Sequence, residues 1–175
     1  DLVNHMVVHM VAEGFDVAQL PRQAKGRTVG HAFTFVRRRI MQPKMFPMLP
    51  VTINSYFPPN QPTAARCYAF GKALRRAIES WDSTKRVAVV ASGGLSHFVV
   101  DEEFDQGVLK AMRENDEKAI GSFGEPLFQS GSSEIKNWIC AAGALEHLNM
   151  QLLNYAPAYR SEAGTGCGLA FAQWL

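Results

Sequence analysis

Apolar residues Val3, Met6, Val7, Met10 and Val11 recur at the spacing of a helix with one buried face, so Leu2 to Glu13 opens the chain as a helix that Gly14 can end. Phe15 to Leu20 then reads as a short strand closed by Pro21, and Arg22 to Gly30 as a polar loop. His31 to Ile40 fits strand and helix equally. Prolines make Met41 to Pro50 irregular, while the β-branched run Val51 to Tyr56 reads as a strand. After the rigid turn Pro58 to Pro62, Thr63 to Trp81 is the clearest helix. Its polar side carries Arg66, Lys72, Arg75, Arg76 and Glu79, against Tyr68, Leu74, Ile78 and Trp81. Arg86 to Ala91 is an unbroken apolar run of strand length, the pattern of an inner strand in a covered sheet. Asp101 to Ile120 is a charged helix in two pieces. Ser133 to His147 is a helix with serine as N-cap and Gly143 as a weak point. Asn149 to Ala156 reads as a strand, and Gly164 to Leu175 as a glycine-rich turn with an apolar tail. Strands alternating with helices predict an α/β domain with a central sheet between helices.

Composition narrows the classes. A chain of 175 residues suits one domain, and 47% apolar with 19% charged residues excludes a disordered chain. The net charge of +2 gives no basis for nucleic acid as a partner; the one basic run, Arg37 to Arg39, reads as a solvated face. Every long uncharged segment is broken by proline or polar residues, so no membrane span is expected. Cys67, Cys140 and Cys167 are odd in number and widely spaced. That argues against a disulfide framework or zinc knuckle and makes a reducing cytoplasm the expected location. The chain begins at Asp1 with a helix already under way and no signal-peptide pattern, which raises the expectation of a missing preceding segment.

The candidate chemistry gathers at Ala91 to His97. There a buried strand would run into Gly93 and Gly94 and then present a histidine, where ligands of open α/β sheets bind. His97 has the titration range for proton transfer; a loop histidine bonded to a carbonyl is an equal alternative. His31 after Gly30 is weak by itself. Glu134 sits at the first turn of a helix, either as dipole compensation or as a metal ligand. His5 and His9 have zinc-clamp spacing but project off the apolar face, so exposure is expected. Gly164 to Gly168 lacks a phosphate-loop lysine, and Ser92 and Ser96 form no nucleophile elbow.

Taken together, ASGGLSH at Ala91 to His97, EIKNW at Glu134 to Trp138 and the Gly30-His31 pair resemble the class III extradiol ring-cleavage dioxygenases, in the branch of the protocatechuate 4,5-dioxygenase beta subunit. Ile53 to Tyr56 leading into the helix Arg66 to Ser80 adds to the likeness, which runs through most of the chain. The resemblance implies a central mixed β-sheet flanked by helices and a non-haem Fe(II) centre that opens a catecholic, protocatechuate-like ring with O2. Glu134 would be the metal ligand, His97 the acid/base, His31 an assisting residue, and Gly94 and Ser96 would border the substrate. Two ligand histidines of the family precede anything matched here, so residues 1–175 would be the C-terminal part of a single catalytic domain, inactive in isolation. The resemblance further implies a homodimer, in some members with a small second subunit. Two alternatives stay open: a non-catalytic protein-binding relative of the same fold, and a zinc-dependent ring-opening relative.

Overall fold

A computed structural model of the protein describes residues 1–175. Helix α1 (Leu2–Ala12) is started by the Asp1 carboxylate, which accepts the Asn4 N–H at 3.1 Å, and is ended at Gly14, whose φ of +80° favours glycine. It lays Met6 against Leu74 and Ala77 of helix α3 (Ala64–Glu79), and Met10 against Phe15 and Ala73. Arg76 forks onto Glu13 with both bonds at 2.7 Å, fastening the end of α1 to α3. His5 and His9 are half-buried at this seam rather than exposed. His5 Nε2 meets the Ser80 hydroxyl at 3.0 Å, and His9 lies 3.3 Å from Glu13.

Helix α3 crosses helix α6 (Ile135–Leu145) at backbone contact. A Cβ on Gly71 would overlap the Cys140 carbonyl oxygen, and one on Gly143 would overlap that of Tyr68. Gly143, read from the sequence as a weak point, is with Gly71 where the two helices meet backbone to backbone. Around this pair, helices α4 (Glu102–Arg113) and α5 (Glu117–Ser122) close the core, which includes Phe104, Val108, Met112, Phe128, Ile135 and Ile139. Each such side chain contributes about 1.5–3 kcal/mol of burial. The break between α4 and α5 falls at Asn115, in the left-handed region at φ +53°. No helix is long and apolar enough to cross a membrane.

The sheet differs from expectation. Strands β1 (His97–Val99), β2 (Met150–Tyr159) and β3 (Thr165–Trp174) form a small antiparallel sheet in the order β1-β3-β2, not a central mixed one. The apolar tail is its middle strand. Ala170, Ala172 and Trp174 pack on the core while Leu169 and Phe171 face solvent, the period-two pattern of a half-buried strand. Arg86 to Ala91, expected as an inner strand, joins no ladder, and Val87 and Val90 are 40% and 55% exposed. An apolar run states what could be buried; pairing also needs a neighbouring strand, and this chain brings none alongside it. Phe15 to Leu20 and Val51 to Tyr56 are likewise unpaired. The ambiguous His31 to Ile40 is helical, as α2 (His31–Phe35) and one π-helical turn.

Candidate active site

Three side chains at the start of α6 hold two successive peptide groups of the glycine turn. Glu134 Oε2 accepts the Gly94 N–H at 2.9 Å, Trp138 Nε1 donates to the Gly93 carbonyl at 3.0 Å, and Asn137 Nδ2 donates to the Ser92 carbonyl at 3.2 Å. The two motifs that stood out in the sequence, forty residues apart, are thus one stitched unit. Gly93, at φ +139°, faces Glu134 so closely that a Cβ would lie 2.8 Å from its Oε2.

His97 is fixed on every side. Its backbone N–H donates to the Ser132 hydroxyl at 3.0 Å, and its Nδ1 lies 2.8 Å from the Leu95 carbonyl. A carbonyl only accepts, so Nδ1 carries the proton and the neutral ring offers Nε2 as its basic atom. A Cβ on Gly131 would come within 2.5 Å of the His97 Cβ, and one on Gly94 within 2.8 Å of its Cε1. Nε2 lies 3.7 Å from Glu134 Oε2 and 3.5 Å from the Cys167 sulfur. Residues 97 and 134, distant in sequence, share one partly open corner where their side chains are 24% and 38% exposed. Burial, and secondarily the Glu134 and Asp105 carboxylates, push the Cys167 thiol up, so it stays protonated beside the imidazole.

The other expected site residues are placed differently. His31 is exposed at the start of α2, and its ring makes no hydrogen bond to His97 or Glu134. Gly94 forms the backbone wall beside the imidazole. Ser96 is 2% exposed and its hydroxyl faces inward, donating to Asp105 Oδ2 at 2.8 Å and accepting the Asp101 N–H at 3.0 Å, so it braces the turn from behind. Sequence reading missed Gly131, Ser132, Asp105 and Cys167. A glycine and serine three and two residues before Glu134 were a usable signal; Asp105 and Cys167 carry none without the fold.

Glu134 Oε2 is engaged by Gly94, while its other oxygen has no protein partner. A carboxylate and an imidazole are suitable donors for a hard or borderline metal. However, no cluster of three or more His, Cys, Asp or Glu side chains converges in this chain. These residues alone do not compose a complete iron site.

A stretch of 41 residues is 61% identical to a gallate dioxygenase of Pseudomonas putida; it covers 23% of this chain and 12% of that protein. The match thus spans a small part of that relative's length. Residues 1–166 match the family described as the catalytic LigB subunit of aromatic ring-opening dioxygenase, and the chain belongs to that family.

Proposed function

We propose that this chain carries part of the catalytic centre of an extradiol dioxygenase that opens a catecholic ring bearing a carboxylate, of the protocatechuate or gallate type. The observation that carries the reading is the position of His97 Nε2, the nitrogen left without the proton in the neutral ring because Nδ1 faces the Leu95 carbonyl, 3.7 Å from Glu134 Oε2. Supporting it are the family and the likeness to a gallate dioxygenase.

In this reading His97 Nε2 takes a proton from a substrate hydroxyl and returns it later in the reaction. The Leu95 carbonyl stabilises the ring when it is doubly protonated, because Nδ1–H already points at it. Glu134 supplies one metal-ligand oxygen while the Gly94 N–H holds the other. The remaining donors of an Fe(II) site come from outside the residues gathered here, and residues 1–175 form the C-terminal part of that catalytic domain. His31, exposed at the start of α2, takes an assisting part in binding or proton handling. Gly94 borders the ring of the substrate, and Ser96 acts from behind the turn.

In the ring-opening enzyme that contains this chain, His97→Ala should retain iron and lose about 10²–10⁴ in turnover, the usual contribution of a positioned proton-transfer group. Glu134→Ala should lose iron itself. Near-normal turnover of the first variant, or full iron occupancy in the second, would refute these roles. Oxygen uptake with protocatechuate or gallate, under Fe(II) and then Zn(II), separates the iron reading from a zinc-dependent relative. Absence of uptake with either metal in that enzyme favours the non-catalytic relative.

A further inference from the structure

Asp105 has no part in the chemistry above, yet it is a fully buried carboxylate at the centre of the structure that presents His97. Its Oδ1 accepts the Ser96 N–H at 2.8 Å, and its Oδ2 accepts the Ser96 hydroxyl at 2.8 Å and the Tyr155 hydroxyl at 2.9 Å. On the opposite side β3 holds the same two residues: Leu95 N–H donates to the Gly168 carbonyl, and Gly168 N–H to the Ser96 carbonyl, each at 2.8 Å. Gly168 must be bare for this to happen, since a Cβ there would overlap Asp105 Oδ2. The peptide between Leu95 and Ser96 is therefore held from α4 through its N–H, with the peptides on either side of it held by β3, and its carbonyl is the one that receives His97 Nδ1–H.

We propose that Asp105 is a positioning residue for His97: acting through Ser96, it fixes the Leu95 carbonyl so that the imidazole keeps its proton on Nδ1 and leaves Nε2 free to act. This deepens the reading of His97 as the proton-handling group. Burial of the carboxyl raises its proton affinity, and the donors from Ser96 and Tyr155 oppose that rise, so the cost of burying it is offset chiefly by the contacts that build the clamp. An exposed imidazole has no such constraint, and the bond made by one ring nitrogen decides the tautomer of the other.

The test is nitrogen NMR of the full 175-residue chain with ring-labelled histidine, at a pH where the rings are neutral, with His97 assigned by its loss in His97→Gln. Wild type should show His97 predominantly as the Nδ1–H form. Asp105→Asn replaces one acceptor by an N–H donor that opposes Ser96, and at least half of His97 should move to the Nε2–H form. Ser96→Ala keeps Asp105 and the backbone bond, and should shift a smaller fraction in the same direction. Tyr155→Phe removes a bond to Asp105 on the β2 side and should leave the tautomer as in wild type. The inference is overturned if folded Asp105→Asn keeps the wild-type tautomer, or if Tyr155→Phe shifts it equally. Should Asp105→Asn not fold, Ser96→Ala decides alone, and an unshifted ring in that variant overturns it. In the enzyme, kcat of Asp105→Asn should fall about tenfold, with KM within about twofold, a fraction of the contribution of proton transfer. A tautomer shift combined with full activity of His97→Ala would leave the positioning intact and refute the functional reading instead.

Discussion

The α3–α6 crossing with its attached glycine turn and the long connections on either side of α3 are built from similar residues and behave oppositely. In the first, Gly71 and Gly143 bring two backbones into contact, and every peptide from Ser92 to Gly94 is held by a side chain of α6. In the second, Phe46, Phe57, Val87 and Val90 are exposed, and the strands their patterns suggest do not form. Apolar content therefore does not distinguish the regions. What distinguishes them is whether a complementary surface lies within reach, and α6 provides one where the connections have none.

The sharpest way to break this contrast is Gly143→Ala. Its methyl would overlap the Tyr68 carbonyl oxygen, so the variant should lose about 3 kcal/mol through overpacking of the two helices. Urea unfolding measures it, and an unchanged midpoint would mean that the helices can separate freely. Gly131→Ala should cost less, about 1–2 kcal/mol, because its methyl meets a side chain rather than backbone. It should nevertheless evict the imidazole, whose Cγ lies 2.7 Å from the new Cβ, and disrupt the bond to Leu95, visible as a changed His97 ring resonance. A retained resonance would show that the corner is looser than its glycines imply.

Smaller effects test the seams. The hydrogen bond from Arg76 holds the Glu13 carboxyl below its ordinary value of 4.5. A depressed folded value means that the pair's contribution is present above pH 4.5 and is lost as pH falls through the lower, folded value. Acid unfolding should therefore be less steep in Glu13→Gln over that window; superimposable acid limbs would show that the fork contributes nothing. Smallest of all, Val90→Thr should change stability by less than about 0.5 kcal/mol, as for any exposed site. A loss well beyond that would show that the run from Arg86 to Ala91 is covered after all.

The sequence made the helices legible because periodicity is local. Leu2 to Glu13, Thr63 to Trp81 and Ser133 to His147 all contain the helices observed, and the two-piece reading of Asp101 to Ile120 matches the turn at Asn115. The sheet was less legible, since pairing depends on which segments meet. The strongest strand pattern, Arg86 to Ala91, found no partner, while the tail from Gly164 became the central strand. His97 and Glu134 were visible as motifs, and the structure gives those motifs a common reason in the bonds from Glu134, Asn137 and Trp138 to the turn. Asp105 stayed hidden because, in sequence, it is one more acid in a charged helix whose first turn already carries Glu102 and Glu103. His31 shows a different limit: the pair of letters that drew notice opens the short helix α2, where the histidine is exposed.

Gly93, Gly94 and Gly131 leave the ground around the imidazole and the carboxylate as naked main chain. Such a surface has nothing to exchange: adding even a methyl at any of the three intrudes on His97 or Glu134. Change around these two side chains is thereby confined to whatever surface faces them, while the glycine floor itself stays letter for letter the same.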